Sequence, residues 1–170
     1  MFSFLKKKQI IVAVETYEAS RYAAGLRTVT TKRCYKSDVQ KLQKQFYEVR
    51  KTLRDCSNPS GTLVIFGNPD EKGCFPYFIG ELVDKPGQPE AASVVELAPG
   101  DYAEIHVKFK VPNDLALSVA RAKQYFMETW LPESGYQLRD NVESIELYDR
   151  RSNIRLPSIE LIFPLQKTKG

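Results

Sequence analysis

The order of elements strand, helix, strand, strand occurs twice in this 170-residue chain. Residues 61–84 align without a gap to residues 142–165, at an offset of 81. In this alignment apolar positions coincide, for example Val64 with Ile145. Repeats of this size usually mark a duplicated structural unit. A single unit would leave one helix on a small sheet with an unpaired edge, so two units are expected to join. The sequence therefore predicts an α+β fold in which an antiparallel sheet around a pseudo-twofold axis carries two helices on one face.

Two amphipathic helices are indicated by apolar residues at spacings of three and four. In the first, Ser37 is the predicted N-cap and the apolar stripe comprises Val39, Leu42, Phe46, Val49 and Leu53. In the second, Asn113 is the predicted N-cap and the stripe comprises Leu115, Val119, Ala122, Phe126 and Trp130. Because Pro132 disfavours helical geometry at the preceding residue, this helix is predicted to end near Trp130, and Gly135 then lets the chain reverse.

The chain is predicted to form one domain behind a short tail. Residues 1–8 are the tail, and the domain covers residues 9–167, with a first half at 9–84, a linker at 85–93 and a second half at 94–167. The linker concentrates proline, glycine and small residues, as connections do. The length suffices for one domain with a real core and is too short for a second full domain.

Residue counts argue against metal and cofactor sites. The three cysteines, Cys34, Cys56 and Cys74, are odd in number and lack CxxC spacing, which favours reduced thiols and a cytoplasmic location over disulfides or zinc. The single histidine, His106, cannot form a multi-histidine metal site. No GxGxxG, Walker-type or HExxH motif occurs. The sequence therefore predicts neither a metal nor a cofactor.

Neither a membrane span nor a DNA-binding surface is predicted. No window holds the ~20 consecutive apolar residues that a transmembrane helix requires. The N-terminal segment MFSFLKKK has no second anchor, so any contact with an anionic membrane would be weak. Residues 1–86 carry 15 Lys+Arg against 9 Asp+Glu, and residues 87–170 carry 10 against 12. The positive charges are scattered and mixed with acids, whereas a nucleic-acid reader usually has a basic stripe.

Strand alternation assigns residues to the two faces of the predicted sheet. The side toward the helices is expected to hold Val64, Phe66, Phe78, Leu82, Ile105, Val107, Ile145, Leu147, Ile159, Leu161 and Phe163. The opposite side is expected to present Ile65, Tyr77, Ile79, Tyr102, Glu104, His106, Glu146, Tyr148 and Glu160. The opposite side therefore combines aromatic and acidic groups.

Glu146 breaks the symmetry of the repeat, because its partner at the offset of 81 is Ile65. A carboxylate among aromatic rings suits an organic cation, since Coulomb attraction and ring quadrupoles act together. The alternative is a solvated glutamate on the wet face of a sheet. For Trp130, the alternatives are packing of the helix end on the sheet or a wall of a ligand cavity.

Two further groups of residues are candidates for catalysis or for binding a partner. Glu104 and His106 point the same way on one strand and form a candidate acid–base pair, although such neighbours are ordinary in strands. Arg150, Arg151 and Arg155 surround a predicted hairpin turn, where they would meet an acidic partner or remain solvated.

The segments ELAPGDYAEIHV, ETWLPESGYQL, SIELYD and PSIELIFPL resemble the GyrI-like small-molecule-binding family, also called the AraC-type effector-binding domain. The similarity is clearest over residues 96–165 and weaker over residues 10–84. It implies a ligand cleft at the pseudo-twofold axis, and in members that bind lipophilic cations the pocket glutamate matches Glu146. It also implies that aromatic side chains line this cleft. With Ile65 added as the repeat partner, the predicted ligand-binding residues are Glu146, Tyr148, Trp130, Tyr77, Tyr102 and Ile65.

The resemblance leaves three functions open, with binding favoured over catalysis. The first is a stand-alone binder of hydrophobic, cationic small molecules, since the chain leaves no room for a helix-turn-helix DNA reader. The second is a hydrolase of strained, cyclopropane-bearing compounds in the same cleft, with Glu146 as general base and a tyrosine assisting the leaving group. The third is a protein-interaction role such as modulation of DNA gyrase.

Overall fold

In each half two strands precede the long helix and two strands close the unit, and the second half has an additional short strand directly after its helical segment. The computed structural model describes residues 9–57, 61–109, 114–139, 142–148 and 158–169. The strands are β1 (Ala13–Tyr17), β2 (Arg21–Thr31), β3 (Thr62–Gly67), β4 (Cys74–Val83), β5 (Ser93–Leu97), β6 (Gly100–Lys108), β7 (Tyr136–Leu138), β8 (Val142–Tyr148) and β9 (Ser158–Lys167). The helices are α1 (Tyr35–Arg50), α2 (Leu115–Tyr125) and α3 (Leu131–Glu133), and a π-helical turn (Phe126–Trp130) joins α2 to α3. Across these residues, no helix is both long and apolar enough to cross a membrane.

Eight of the described strands form one antiparallel sheet in the order β1-β6-β9-β8-β3-β4-β2-β5, and β7 pairs with the end of β9. β8 and β3, one from each half, therefore lie side by side at the centre. The last two strands of each half pair with each other, β3 with β4 and β8 with β9. β1 pairs with β6 and β5 pairs with β2, so each half contributes an edge strand to the other half. The predicted α+β class and pseudo-twofold arrangement are confirmed.

Both long helices pack on the same face of the sheet. The core under α1 comprises Val39, Leu42, Phe46, Val64, Tyr77 and Ile79. The core under α2 and the π-helical turn includes Ala122, Phe126, Ile105, Leu161 and Phe163. Phe126 stacks on Phe163 with ring centroids 3.9 Å apart. Each helix therefore covers one half of the sheet, and the two central strands run between them.

The start of α1 lies upstream of the predicted N-cap. The helix begins at Tyr35 and its N-cap is Cys34, whereas the sequence pattern placed the cap at Ser37. The Ser37 hydroxyl donates a hydrogen bond of 2.8 Å to the Cys34 carbonyl oxygen, so Ser37 lies inside the first turn. The other predicted N-cap, Asn113, lies outside the described residues, and α2 follows Asp114.

The second helical segment continues past Trp130, where the sequence predicted its end. Leu131 keeps helical angles, with φ −60° and ψ −44°, although it precedes Pro132. In the π-helical turn the Leu131 N–H bonds the Phe126 carbonyl, one residue further back than in an α-helix. This wider turn accommodates Pro132, which has no N–H to donate. Gly135, with φ +74°, then reverses the chain into β7 as predicted.

The predicted faces of β4 and β8 are inverted in the structure. Four residues expected on the side away from the helices lie on the helix side: Tyr77, Ile79, Glu146 and Tyr148. Four residues expected under the helices belong to the core of the other side: Phe78, Leu82, Ile145 and Leu147. The assignments for β3, β6 and β9 are correct.

The inversion follows from the offset of 81 residues. Side chains alternate between faces with a period of two, so an odd offset sets residues of opposite faces against each other. Directly opposed residues of neighbouring antiparallel strands share a face, and Val64 is opposed by both Ile79 and Glu146. An even offset of 82 preserves the faces and matches Val64 with Glu146 and Tyr77 with Ile159. The repeat partner of Glu146 is then Val64, and Ile65 points the other way.

The side away from the helices is also buried, because the sheet curls. Tyr17 of β1 and Leu97 of β5 come from opposite edges of the sheet and belong to one apolar cluster. Tyr17 stacks on Tyr102 with ring centroids 4.1 Å apart. Both faces of the central strands therefore pack against apolar groups, and few positions face water on either side.

β2 and β4 lie very close together at a pair of glycines. Gly25 lies directly opposite Gly80. A Cβ on Gly25 would lie 1.9 Å from the Ile79 carbonyl oxygen, and a Cβ on Gly80 would lie 2.5 Å from the Ala24 carbonyl oxygen. These distances are below any van der Waals contact, so only glycine fits at either position.

We predict that Gly25→Ala lowers the free energy of unfolding by about 2 kcal/mol or more, because β2 and β4 must separate to admit the methyl group. Gly87→Ala is the matched control, since a Cβ on Gly87 meets no atom within 4 Å. Urea denaturation of both variants and the parent protein measures the effect. Equal losses of stability in the two variants would contradict the close approach.

Candidate ligand-binding site

Glu146 lies at the centre of the sheet, on the face that carries the helices. It is opposed by Val64 of β3 and by Leu161 of β9, which both belong to the apolar cores under the helices. Only 7% of the residue is exposed. A carboxylate in such a position costs free energy unless charged or hydrogen-bonding groups compensate its lost hydration. The surroundings of Glu146 supply both kinds of group.

Two groups satisfy the two carboxylate oxygens of Glu146. The Tyr148 hydroxyl donates a hydrogen bond of 2.7 Å to Oε2. The Lys123 ammonium lies 3.0 Å from Oε1. Tyr148 is two residues along the same strand, whereas Lys123 reaches down from the last turn of α2. The carboxylate therefore carries an ion pair on one oxygen and a neutral donor on the other.

Aromatic rings of the first half face this carboxylate. Tyr35, Phe66 and Tyr77 touch one another, with ring centroids 5.9 Å apart for Tyr35–Tyr77, 6.2 Å for Tyr35–Phe66 and 5.4 Å for Phe66–Tyr77. The Lys123 Nζ lies over the Phe66 ring, 4.7 Å from its centroid. One ammonium is thus held between the Glu146 carboxylate and an aromatic face, where electrostatic attraction acts from both sides.

The phenol groups near Glu146 stay protonated at neutral pH. Burial raises the pKa of Tyr148, and the Glu146 charge together with its hydrogen bond adds to this. Burial also raises the pKa of Tyr77 and of Tyr35, and the Glu146 charge raises both further. The three hydroxyls are therefore neutral donors around a single negative charge.

Ser144 adds an unused polar group to the same face. It lies two residues before Glu146 and directly opposite Phe66. Its hydroxyl is fully buried and has no hydrogen-bond partner within the part of the chain that the structure describes. A buried hydroxyl of this kind can bond a polar atom of a ligand.

An open cavity of about 480 Å³ adjoins this group of residues. Phe66 forms part of its wall together with Phe75, and both rings contact Tyr35. The rim is charged, and its residues are Lys32, Arg33, Lys72 and Glu143. Phe66 therefore contributes both to the wall of this cavity and to the contacts of the Lys123 ammonium beside Glu146.

The six residues predicted to bind ligand fall into three groups. Glu146, Tyr148 and Tyr77 come together on the helix side, as described above. Trp130 packs in the core of the second half, where it stacks on Phe126 with centroids 5.4 Å apart and on Tyr136 with centroids 6.3 Å apart. Tyr102 and Ile65 lie in the core on the opposite side of the sheet.

Four residues of this site were not predicted from the sequence: Tyr35, Phe66, Lys123 and Ser144. Phe66 was assigned to the correct face but only as a core residue. Tyr35 precedes Ser37, the predicted helix start. Lys123 follows Ala122 at the edge of the apolar stripe of α2, four residues after Val119, and this position is the signal that would have placed it toward the sheet.

Glu104 and His106 do not form a joint acid–base site. The Tyr17 hydroxyl donates a hydrogen bond of 2.7 Å to Glu104, whereas His106 Nδ1 contacts Glu160. Both pairs lie on the side of the sheet away from Glu146. The predicted arginine cluster of Arg150, Arg151 and Arg155 lies outside the described residues. Within the described ranges, no group of three or more His, Cys, Asp or Glu side chains converges to hold a metal ion.

Several solved structures share this fold, and one of them contains a bound small molecule. SAV2435, whose structure was determined with tetraphenylphosphonium bound, superposes with a TM-score of 0.67 at 14% identity, over 92% of this chain and 94% of that chain. The EcmrR C-terminal domain superposes with a TM-score of 0.63 at 17% identity, over 94% of this chain and 99% of that one. The Vibrio cholerae integron cassette protein VCH_CASS2 gives a TM-score of 0.58 at 12% identity, over 91% and 95% of the two chains. At these identities the likeness shows the fold alone.

Sequence comparison identifies the family. No curated protein matches the chain. The family Cass2, described as integron-associated effector-binding proteins, matches residues 16–165, which include every described residue of the site around Glu146. This match, together with the fold shared with the EcmrR C-terminal domain, confirms the resemblance to GyrI-like effector-binding domains. The chain therefore belongs to the Cass2 family of integron-associated effector-binding proteins, and this membership supports the binding of a small-molecule effector.

Proposed function

We propose that the ligands are hydrophobic cations, that Glu146 is their counter-ion and that the rings of Tyr35, Phe66 and Tyr77 are apolar walls. The observation that carries this proposal is the position of the Lys123 ammonium, 3.0 Å from Glu146 Oε1 and 4.7 Å from the Phe66 ring centroid. The site already stabilises a positively charged nitrogen. An organic cation would use the same carboxylate and the same ring face.

Burial of the carboxylate gives the site its preference for positive charge. Because Glu146 is only 7% exposed, water screens its charge poorly. A neutral molecule that took the place of the ammonium would leave the carboxylate buried without a positive partner, which is strongly unfavourable. A cationic ligand would itself be the positive partner of the carboxylate, and it would add apolar contacts.

The apolar surroundings support a ligand of substantial size. Three aromatic rings meet beside the carboxylate, and the adjoining cavity of about 480 Å³ has the volume of a drug-sized site. The bound tetraphenylphosphonium of SAV2435 is a lipophilic cation in a protein of the same fold, which supports the same ligand class here. Ser144 would contribute a hydrogen bond to a polar atom of the ligand.

Location and partners complete the proposal. A cytoplasmic location is supported by Cys34, Cys56 and Cys74, which are all free thiols. The chain matches 58% of the EcmrR chain that was solved bound to DNA, and the isolated EcmrR C-terminal domain almost completely. We therefore assign ligand binding, and not DNA binding, to these residues.

Gyrase modulation has no described contact in its favour and is not proposed.

Hydrolysis is the second candidate, because the hydrogen bond between Tyr148 and Glu146 pairs a proton donor with a base. Two features favour binding instead. Burial and the Glu146 charge raise the pKa of Tyr148, so its hydroxyl is a poor proton donor to a leaving group. Lys123 also forms an ion pair with Glu146 Oε1, the carboxylate oxygen that would have to accept a proton from water. We expect no turnover of electrophilic cyclopropane or ester probes; turnover that Glu146→Gln abolishes would establish the hydrolase.

Glu146→Gln should weaken tetraphenylphosphonium binding at least about tenfold, which corresponds to roughly 1.4 kcal/mol. The change removes the negative charge and keeps the shape of the side chain. Isothermal titration calorimetry with the folded parent and variant measures the two dissociation constants.

Glu104→Gln is the control for this measurement, because Glu104 also accepts a 2.7 Å hydrogen bond from a tyrosine but lies on the other side of the sheet. It should bind the cation as the parent does. Equal weakening in both variants, or none in either, would remove Glu146 as the counter-ion.

Phe66→Leu should weaken binding of the same cation by about fivefold, because an attraction between cation and ring contributes roughly 1 kcal/mol. Leucine keeps an apolar side chain but removes the ring quadrupole. Phe78→Leu is the control, since Phe78 is also a buried ring next to β3 but lies on the side of the sheet away from Glu146. Thermal denaturation identifies any general loss of folding. An unchanged affinity in Phe66→Leu would show that this ring does not face the bound cation.

A further inference from the structure

We infer that Lys123 is a tethered competitor that occupies the cation position of the site and determines which cations bind. This inference rests on the proposed function, because it concerns the same carboxylate. It adds a requirement that Glu146 and the rings alone would not impose: a ligand must displace the chain's own ammonium.

The contacts of Lys123 are those that a ligand cation would make. Its Nζ lies 3.0 Å from Glu146 Oε1 and 4.7 Å from the Phe66 ring centroid, while the Tyr148 hydroxyl holds the other carboxylate oxygen. The lysine head fills the position between Oε1 and this ring, so another positive group that uses both must take its place. The ligand and the lysine are therefore mutually exclusive.

Charge leads to the same conclusion. The pair of Glu146 and Lys123 is electrically neutral, so a cation that entered beside the lysine would place two positive charges against one buried carboxylate. Repulsion between them would be poorly screened at this depth. A cation that replaces the lysine restores neutrality.

The lysine is able to leave. It lies in the last turn of α2, and 24% of its side chain is exposed, so rotation about its flexible stem carries the ammonium into water. A lysine ammonium is strongly hydrated and loses little when it returns to solvent. Displacement therefore requires a change of side-chain rotamer and no change in the fold.

The exchange selects among cations. A small alkylammonium ion gains at Glu146 only what Lys123 already provides, and it lacks the advantage of being attached to the protein. A cation with a large apolar surface gains additional burial against the rings, in proportion to the area removed from water. Lys123 should therefore exclude small hydrophilic cations and admit bulky lipophilic ones.

The test compares the parent, Lys123→Met and the control Lys41→Met by calorimetric titration with tetraphenylphosphonium and tetramethylammonium. Methionine keeps an unbranched apolar stem and removes the charge, and Lys41 is an exposed lysine of α1. We expect Lys123→Met to bind tetraphenylphosphonium at least about fivefold more tightly than the parent and to show measurable affinity for tetramethylammonium. Lys41→Met should behave as the parent does.

A second measurement follows the lysine itself by reductive methylation of the parent protein and mass spectrometry. Displacement predicts that Lys123 is modified several times faster when tetraphenylphosphonium is bound. If Lys123→Met binds this cation equally or more weakly, or if bound ligand protects Lys123, the inference is overturned while the Glu146→Gln result still stands for the proposed function. If no cation binds the parent or Lys123→Met, the proposed function and this inference both fail.

Discussion

A single buried carboxylate at the centre of the sheet determines what surrounds it. Glu146 lies on the helix side of the sheet, beside strands of both halves, and its charge must be balanced there because little water reaches it. Tyr148 and Lys123 come from the second half, whereas the aromatic rings that face the charge come from the first half. The site therefore exists only where the two halves meet, and its hydrophobic and ionic parts have separate origins in the chain.

Much of this arrangement could be predicted from the sequence. The repeat, the order of the main elements and the pairing of the last two strands of each half follow from local periodicity and from the resemblance in the segments around ETWLPESGYQL and SIELYD. The faces of β4 and β8 could not be predicted by alternation. The alternation of apolar and polar residues along a strand identifies the buried face only when the other face is exposed to solvent. In β4, Tyr77 and Phe78 lie on opposite faces and both are buried. The polar atoms of Tyr77, Glu146 and Tyr148 suggested solvent, but they lie under the helices.

The ends of the helices also could not be predicted from local sequence patterns. Pro132 is a helix breaker in most contexts, and only the π-helical turn before it allows the segment to continue and to bring Trp130 between Phe126 and Tyr136. Lys123 was missed for a comparable reason. A lysine beside an apolar stripe is normally solvated, and its inward position depends on a charge on a strand more than twenty residues away along the chain.

The match of Val64 with Glu146 at the offset of 82 has a consequence for how such a site can arise. These two residues are both repeat equivalents and direct neighbours across the central strands, so they face each other over the pseudo-twofold axis. A true homodimer of one unit would carry the same residue at both places, and two glutamates would oppose each other in a dry interface. Joining the units in one polypeptide removes that constraint. The covalent link therefore permits an asymmetric charge on a symmetric scaffold, with an aliphatic residue on one side of the axis and an acid on the other.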